Sequence, residues 1–158
     1  MTIDRIEIRN ESPTGDLAGQ LLHRYYDELA ARLPTGFDPG EEASAQLPEF
    51  EGPTGAFLVA YLDDQPAGCG ALRRFDATTA EIKRMWIDPT WRGRGIGRQL
   101  LSDLEATGRE RGYQRLCLDT SAQLTEAISM YRSFGFNEVP DYNGNVDADL
   151  WFGKEISP

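Results

Sequence analysis

The chain has 158 residues and a formal net charge of -10, long enough for one domain with a real core. Such a charge repels nucleic-acid backbones and anionic membranes, so any anion bound here needs a local cationic cluster. Hydrophobic residues are 40% and charged residues 27%, a globular balance with no apolar run long enough for a membrane span and no signal-peptide core at the alternating N-terminus.

These features predict a single domain over residues 1–158, soluble and cytoplasmic, with no nucleic-acid or membrane partner. Cys69 and Cys117 lie in apolar, strand-like stretches with no C-x-x-C pair, and His23 is the one histidine. Buried thiols are therefore expected, with no structural metal and no disulfide framework.

Along the chain, "IDRIEIR" (Ile3 to Arg9) alternates enough to predict a first strand. Ser12-Pro13 is a helix-start signal. Leu17, Leu21, Leu22, Tyr25, Leu29 and Leu33 then recur at helical spacing up to Pro34. Pro34 to Gly55 is rich in Pro, Gly and acid. It reads as a long loop with a short helical turn near Glu41 to Leu47. Such a loop is either a substrate wall or a solvated connection, and the sequence leaves both open.

Ala56 to Leu62, the turn "DDQP" and Ala67 to Phe75 predict a hairpin. Thr79 to Asp88 is a further strand. Its apolar residues Ile82, Met85 and Ile87 break alternation, which predicts a bulge near Lys83 to Met85. Gly97 to Arg111 carries the clearest helical stripe, with Gly112 as its stop. Leu116 to Thr120 is a short buried strand. Leu124, Ala127, Ile128 and Tyr131 share one face of a later helix, closed by Gly135. "FNEV" and "DLWFGKEI" are the last strands, around the polar turn "PDYNGNVDA". The order is mixed α/β (α+β), and Glu81 to Thr120 is a βαβ unit whose strands should be parallel.

"WRGRGIGRQLL" (Trp91 to Leu101) sits between the end of one strand of that unit and its helix. Glycines there let the backbone approach a ligand closely, and the helix start offers unpaired N–H groups and positive dipole. Arg92, Arg94 and Arg98 add local charge, so the loop is an anion cradle suited to phosphate. A P-loop lysine followed by Ser or Thr is missing, and the glycines are spaced G-x-G-x-G rather than G-x-G-x-x-G.

The spacing R-x-x-G-x-G (Arg92, Gly95, Gly97), the whole run "MWIDPTWRGRGIGRQLL" and the later "AISMYRSFGF" together resemble the GNAT superfamily of acyl-CoA-dependent N-acetyltransferases. The resemblance covers roughly Ala56 to Phe136. It implies a mixed, mostly antiparallel sheet with a central splayed parallel strand pair, flanked by helices. It implies acetyl-CoA (coenzyme A) as co-substrate, with no metal. The pyrophosphate would meet Gly93, Arg94, Gly95, Ile96, Gly97 and Arg98, and the pantetheine arm would pair with Met85, Trp86 and Ile87. Tyr131 matches the family's general acid near the CoA sulfur. Its alternative is core packing with Ile128 and Leu124. Glu81 matches the base that deprotonates the amine through water, with Asp119 and Glu126 as backups and an ordinary strand-end carboxylate as the alternative. Leu124 stands where many members have Asn, so one cofactor contact falls to Gln123 or is absent. A homodimer is compatible with the resemblance.

The implied reaction is acetyl transfer to a primary amine of a small molecule or peptide by direct attack in a ternary complex. A non-catalytic acyl-CoA sensor is the alternative from another class. Acidic loops hint at a cationic acceptor.

Overall fold

In the computed structural model, which describes residues 5–157, the chain order is β1 (Ile6–Asn10), α1 (Asp16–Arg32), α2 (Gly40–Gln46), β2 (Ala56–Leu62), β3 (Gln65–Arg74), β4 (Thr79–Ile87), α3 (Ile96–Glu110), β5 (Arg115–Thr120), α4 (Thr125–Ser133), β6 (Asn137–Val139) and β7 (Leu150–Glu155). The strands form one seven-stranded sheet in the order β1-β2-β3-β4-β5-β7-β6. All neighbours are antiparallel except β4 and β5. The predicted mixed α/β class with a central parallel pair is therefore the observed one. Ile3, read as part of the first strand, lies outside the described residues.

Both faces of the sheet are covered, and β2 shows why its seven residues are all buried. Phe57, Val59 and Tyr61 face Ala18, Leu21 and Leu22 of α1. Leu58, Ala60 and Leu62 face the opposite layer, with Ile96, Leu100, Leu101 and Leu104 of α3. A strand points alternate side chains to opposite faces, so two covered faces leave no polar position. Each fully buried leucine in these layers contributes about 1.5–3 kcal/mol against exposure.

The first helix starts later than the Ser12-Pro13 signal suggests. Residues 12–15 form a turn, closed by Gly15 N donating to Ser12 O, and Gly15 is the N-cap. The segment expected to loop from Pro34 holds α2 and two 3-10 turns, Leu47–Phe50 and Gly52–Thr54. A further 3-10 turn at Pro89–Trp91 follows β4, with Asp88 accepting from Thr90 N at 2.9 Å.

The bulge in β4 is real. Cys69 pairs with Trp86 and Ala71 with Lys83, so Arg84 and Met85 together oppose Gly70. Arg84 has φ 59°, a region that costs a non-glycine residue on the order of 1 kcal/mol or more. A Cβ on Gly70 would sit 2.6 Å from Met85 Sδ and 3.0 Å from Leu104 Cδ1, so a side chain there would push both aside.

Candidate active site

The site begins where two strands part. β4 and β5 pair only at Thr79↔Arg115, Ala80↔Leu116 and Glu81↔Cys117. Beyond Glu81, β4 stays with β3 and β5 stays with β7. The strands diverge into a wedge, and the β4 edge past Glu81 has no strand beside it. Such an edge offers N–H and C=O groups to an amide-bearing ligand.

Two cavities occupy the wedge. One, of about 480 Å³, lies against Met85, Trp86 and Ile87 of β4, the glycine loop, and Met130 of α4. The other, of about 530 Å³, lies against Tyr25, Phe37, Glu81, Arg84, Asp119 and Asn143. Tyr25, Leu29, Met85, Leu124, Ala127 and Tyr131 line both, so the two chambers meet at Tyr131.

The loop is built as the glycine spacing predicts. Gly93 (φ 81°) and Gly95 (φ 83°) are left-handed, and Gly95 is the N-cap of α3 with no side-chain cap. Among the described residues, the N–H groups of Gly93, Gly95, Ile96 and Gly97 have no protein acceptor. They form a cluster of bare donors at a positive helix end. Gly97 serves packing instead. A Cβ there would lie 2.5 Å from Met130 Sδ, so glycine lets α3 and α4 close around the first cavity.

The arginines of the loop take different partners. Arg92 turns away, donating from Nη2 to both oxygens of Glu28 (2.8 and 2.7 Å) and from Nε to Ile87 O at 3.0 Å. Arg98 donates to Ser133 Oγ at 2.9 Å, and Arg94 stacks over Trp91. Glu28 also accepts from Trp86 Nε1 and from Arg32. Burial works against its charge, but these donors hold its carboxyl below the usual range. Arg32 continues the chain of charges to Glu126 on α4. The Arg32 bond pulls the Glu126 carboxyl down to about 2, which makes Glu126 a poor base.

Tyr131 is 5% exposed and packs edge-on to Phe136 at 6.0 Å between ring centres. Its ring is part of the core, and it also lines both cavities. Its hydroxyl has no hydrogen-bond partner among the described residues. Burial pushes its pKa well above the usual tyrosine value, with Tyr25 and Asp119 adding to the shift, so the phenol stays protonated and available as a donor.

Glu81 is 2% exposed and fully engaged. Arg73 Nη1 donates to Oε1 at 2.8 Å, and Tyr142 OH (2.7 Å) and Asn143 Nδ2 (3.3 Å) donate to Oε2. Arg73 also reaches Glu49. Asp119, at the end of β5, accepts from Asn143 Nδ2 at 2.6 Å and Asn145 Nδ2 at 3.2 Å. The polar turn after β6 therefore folds over the second cavity and ties both carboxylates together, a role its solvated composition did not suggest. Gln123 accepts from Ser121 Oγ at 2.6 Å and lines neither cavity, while Leu124 sits at the junction.

Sequence reasoning missed Arg84, Tyr25, Tyr142 and Asn143. None carries a motif. The broken alternation at Lys83 to Met85 was the one available signal, since a bulge re-aims a side chain. Burial pushes the Cys69 and Cys117 thiols up to about 12, so both are inert at neutral pH. Among the described residues no cluster of His, Cys, Asp or Glu is placed to hold a metal, and no helix is long and apolar enough to cross a membrane.

Comparison with known proteins places this geometry in a family. Residues 22–136 match the family model described as Acetyltransferase (GNAT) family. The chain is 30% identical over 133 residues to the uncharacterized N-acetyltransferase YsnE of Bacillus subtilis, covering 83% of this chain and 85% of that one. It is 33% identical over 132 residues to the IAA acetyltransferase of Azospirillum brasilense, covering 83% and 84%. The fold also matches a GNAT family acetyltransferase from Elizabethkingia anophelis solved with acetyl-CoA bound, with TM-score 0.70, 21% identity and coverage of 95% and 97%. With a wedge between β4 and β5, a glycine cradle at α3 and a match over most of its length, the chain belongs to the GNAT family of acetyltransferases and is an acyltransferase.

Proposed function

We propose that the protein transfers an acetyl group from acetyl-CoA to a primary amine of a small molecule or peptide, by direct attack in a ternary complex. The observation that carries this reading is the meeting of two cavities at Tyr131. One cavity ends on bare loop amides and suits the pyrophosphate and pantetheine of the donor. The other is lined by carboxylates and aromatic rings and suits an amine. The Elizabethkingia protein, of the same fold, holds acetyl-CoA, and this supports the assignment of the donor.

In this reading, the backbone groups of Gly93, Arg94, Gly95, Ile96, Gly97 and Arg98 receive the pyrophosphate, and the open edge at Met85, Trp86 and Ile87 pairs with the pantetheine arm. Glu81 takes a proton from the acceptor ammonium through water, and the neutral nitrogen attacks the thioester carbon. The nitrogen then releases its second proton to water as the C–S bond breaks, Tyr131 gives its proton to the leaving thiolate, and solvent reprotonates the tyrosine. Both thiols of the protein are buried and protonated, which favours direct transfer over an acyl-cysteine.

An acyl-CoA sensor needs only the first cavity, and the second favours transfer. The test is amine-dependent thiol release from acetyl-CoA across a panel of primary amines. Tight acetyl-CoA binding without thiol release on any amine would contradict the proposal.

A further inference from the structure

The second cavity contains opposite charges that the protein itself does not neutralise. We propose that Arg84 and Lys83 form a carboxylate subsite, and that the acceptor is a small primary amine carrying a carboxylate, of the amino-acid class. This rests on the acetyl-transfer reading above and names the substrate class of that site.

Arg84 is held in a set orientation. Nε donates to Tyr26 OH at 3.0 Å, and Nη2 donates to Gln46 Oε1 at 3.0 Å and to Ala43 O at 3.5 Å. Of its five N–H donors, the pair on Nη1 has no acceptor among the described residues. Among the described residues no carboxylate forms an ion pair with this guanidinium. Its neighbour Lys83 lines the same cavity, and its ammonium has no hydrogen bond or ion pair among the described residues. In a chain of charge -10, two uncompensated cations side by side on one cavity wall are an exception to the surrounding field. A fixed, half-buried guanidinium edge is a good partner for a carboxylate, because its donors are already oriented.

The backbone supports the same conclusion. Arg84 occupies the left-handed region at φ 59° in the β4 bulge. The strain is located where a side chain is re-aimed into a cavity, which is where functional strain collects. The other end of the acceptor has a matching partner. Among the described residues Asp119 has the amides of Asn143 and Asn145 against it and no cation, and its charge is felt at Tyr131. An ammonium held at Asp119 would stand beside the reacting centre, with the carboxylate reaching Arg84. Tyr25, Tyr26 and Phe37 supply apolar wall between the two ends. Asp38, Glu42 and Asp147 also face this cavity, but they are exposed at its rim and screened by solvent. About 530 Å³ fits a small molecule.

The experiment measures kcat/KM with saturating acetyl-CoA for α-, β- and γ-amino acids, each against its own carboxamide. The inference predicts that at least one acid exceeds its amide by about tenfold to a hundredfold, the range for a charge-assisted bond to a carboxylate. Arg84→Gln should bring that ratio close to one by raising KM for the acid more than for the amide. Arg84 also docks α2, so Lys83→Gln provides a second measurement on a side chain with no structural partner. It should lower the preference for the acid severalfold. Amides as good as acids, acetyl-CoA binding with no acid accepted, or acid and amide falling together in both variants would each overturn the subsite. Absence of acetyl-CoA binding in calorimetry would overturn the transfer reading itself, and the subsite with it.

Discussion

Asn143 holds Asp119 with a 2.6 Å hydrogen bond from its amide nitrogen, joining the turn after β6 to the end of β5. The same nitrogen reaches Glu81 at 3.3 Å, so the two carboxylates share one donor without sharing a cation. Of the two, Arg73 pairs with Glu81 and not with Asp119. The two groups should therefore behave differently when each is neutralised. Glu81→Gln is expected to lower kcat by about a hundredfold with KM for the amine little changed. Asp119→Asn is expected to raise KM for the amine more than it lowers kcat. Two-substrate kinetics on the two variants distinguish the roles, and the reverse pattern would transfer the base to Asp119.

Gly97 sets how closely α3 approaches α4. In Gly97→Ala the added carbon meets Met130 Sδ at 2.5 Å. Methionine is flexible and will yield in part, so the cost should be about 1–3 kcal/mol of overpacking. For a chain of this size that lowers Tm by about 2–4 °C per kcal/mol. The shift of Met130 narrows the donor cavity, so KM for acetyl-CoA should rise more than KM for the amine. Thermal melts and two-substrate kinetics on the same preparation check both parts.

The bond from Arg32 to Glu126 makes a pH-dependent contribution of known sign. The Glu126 carboxyl is depressed from 4.5 to about 2 by Arg32. A group with a lowered folded pKa stabilises the fold above its unfolded value and loses that contribution as pH falls through the folded one. The difference in Tm between the native protein and Glu126→Gln should thus be largest above about pH 5, shrink between 4.5 and 2, and vanish near 2. Both side chains are partly exposed, so added salt should reduce the difference at every pH. A Tm difference that persists unchanged at pH 2 would assign the effect to packing.

The sheet and its helices are legible in the sequence because their signals are local. The apolar run of β2, the stripe of α3 and the glycines before Ile96 each depend on neighbours within a few residues. The bulge in β4 is legible for the same reason, as a break in alternation within that strand. The second cavity is not. Its walls come from α1, α2, β4, β5 and the turn after β6, and no motif links Tyr25 to Arg84 or Asn143 to Glu81. The 61-residue separation of Tyr142 from Glu81 is bridged only by the fold. Arg92 shows the converse. Its place in the glycine motif suggests phosphate, while Glu28, far away in sequence, holds its guanidinium in the structure.

The central claim is that acetyl transfer occurs where the two cavities meet, with Tyr131 as the proton donor. Its hydroxyl has no protein partner among the described residues, while its ring is buried with Phe136 and Phe152. The most direct measurement is therefore single-turnover thiol release by Tyr131→Phe, alongside its acetyl-CoA affinity and its melting temperature. The account predicts a loss of about a hundredfold or more in the chemical step, with affinity and melting temperature nearly unchanged. Full activity in a stably folded Tyr131→Phe would contradict it.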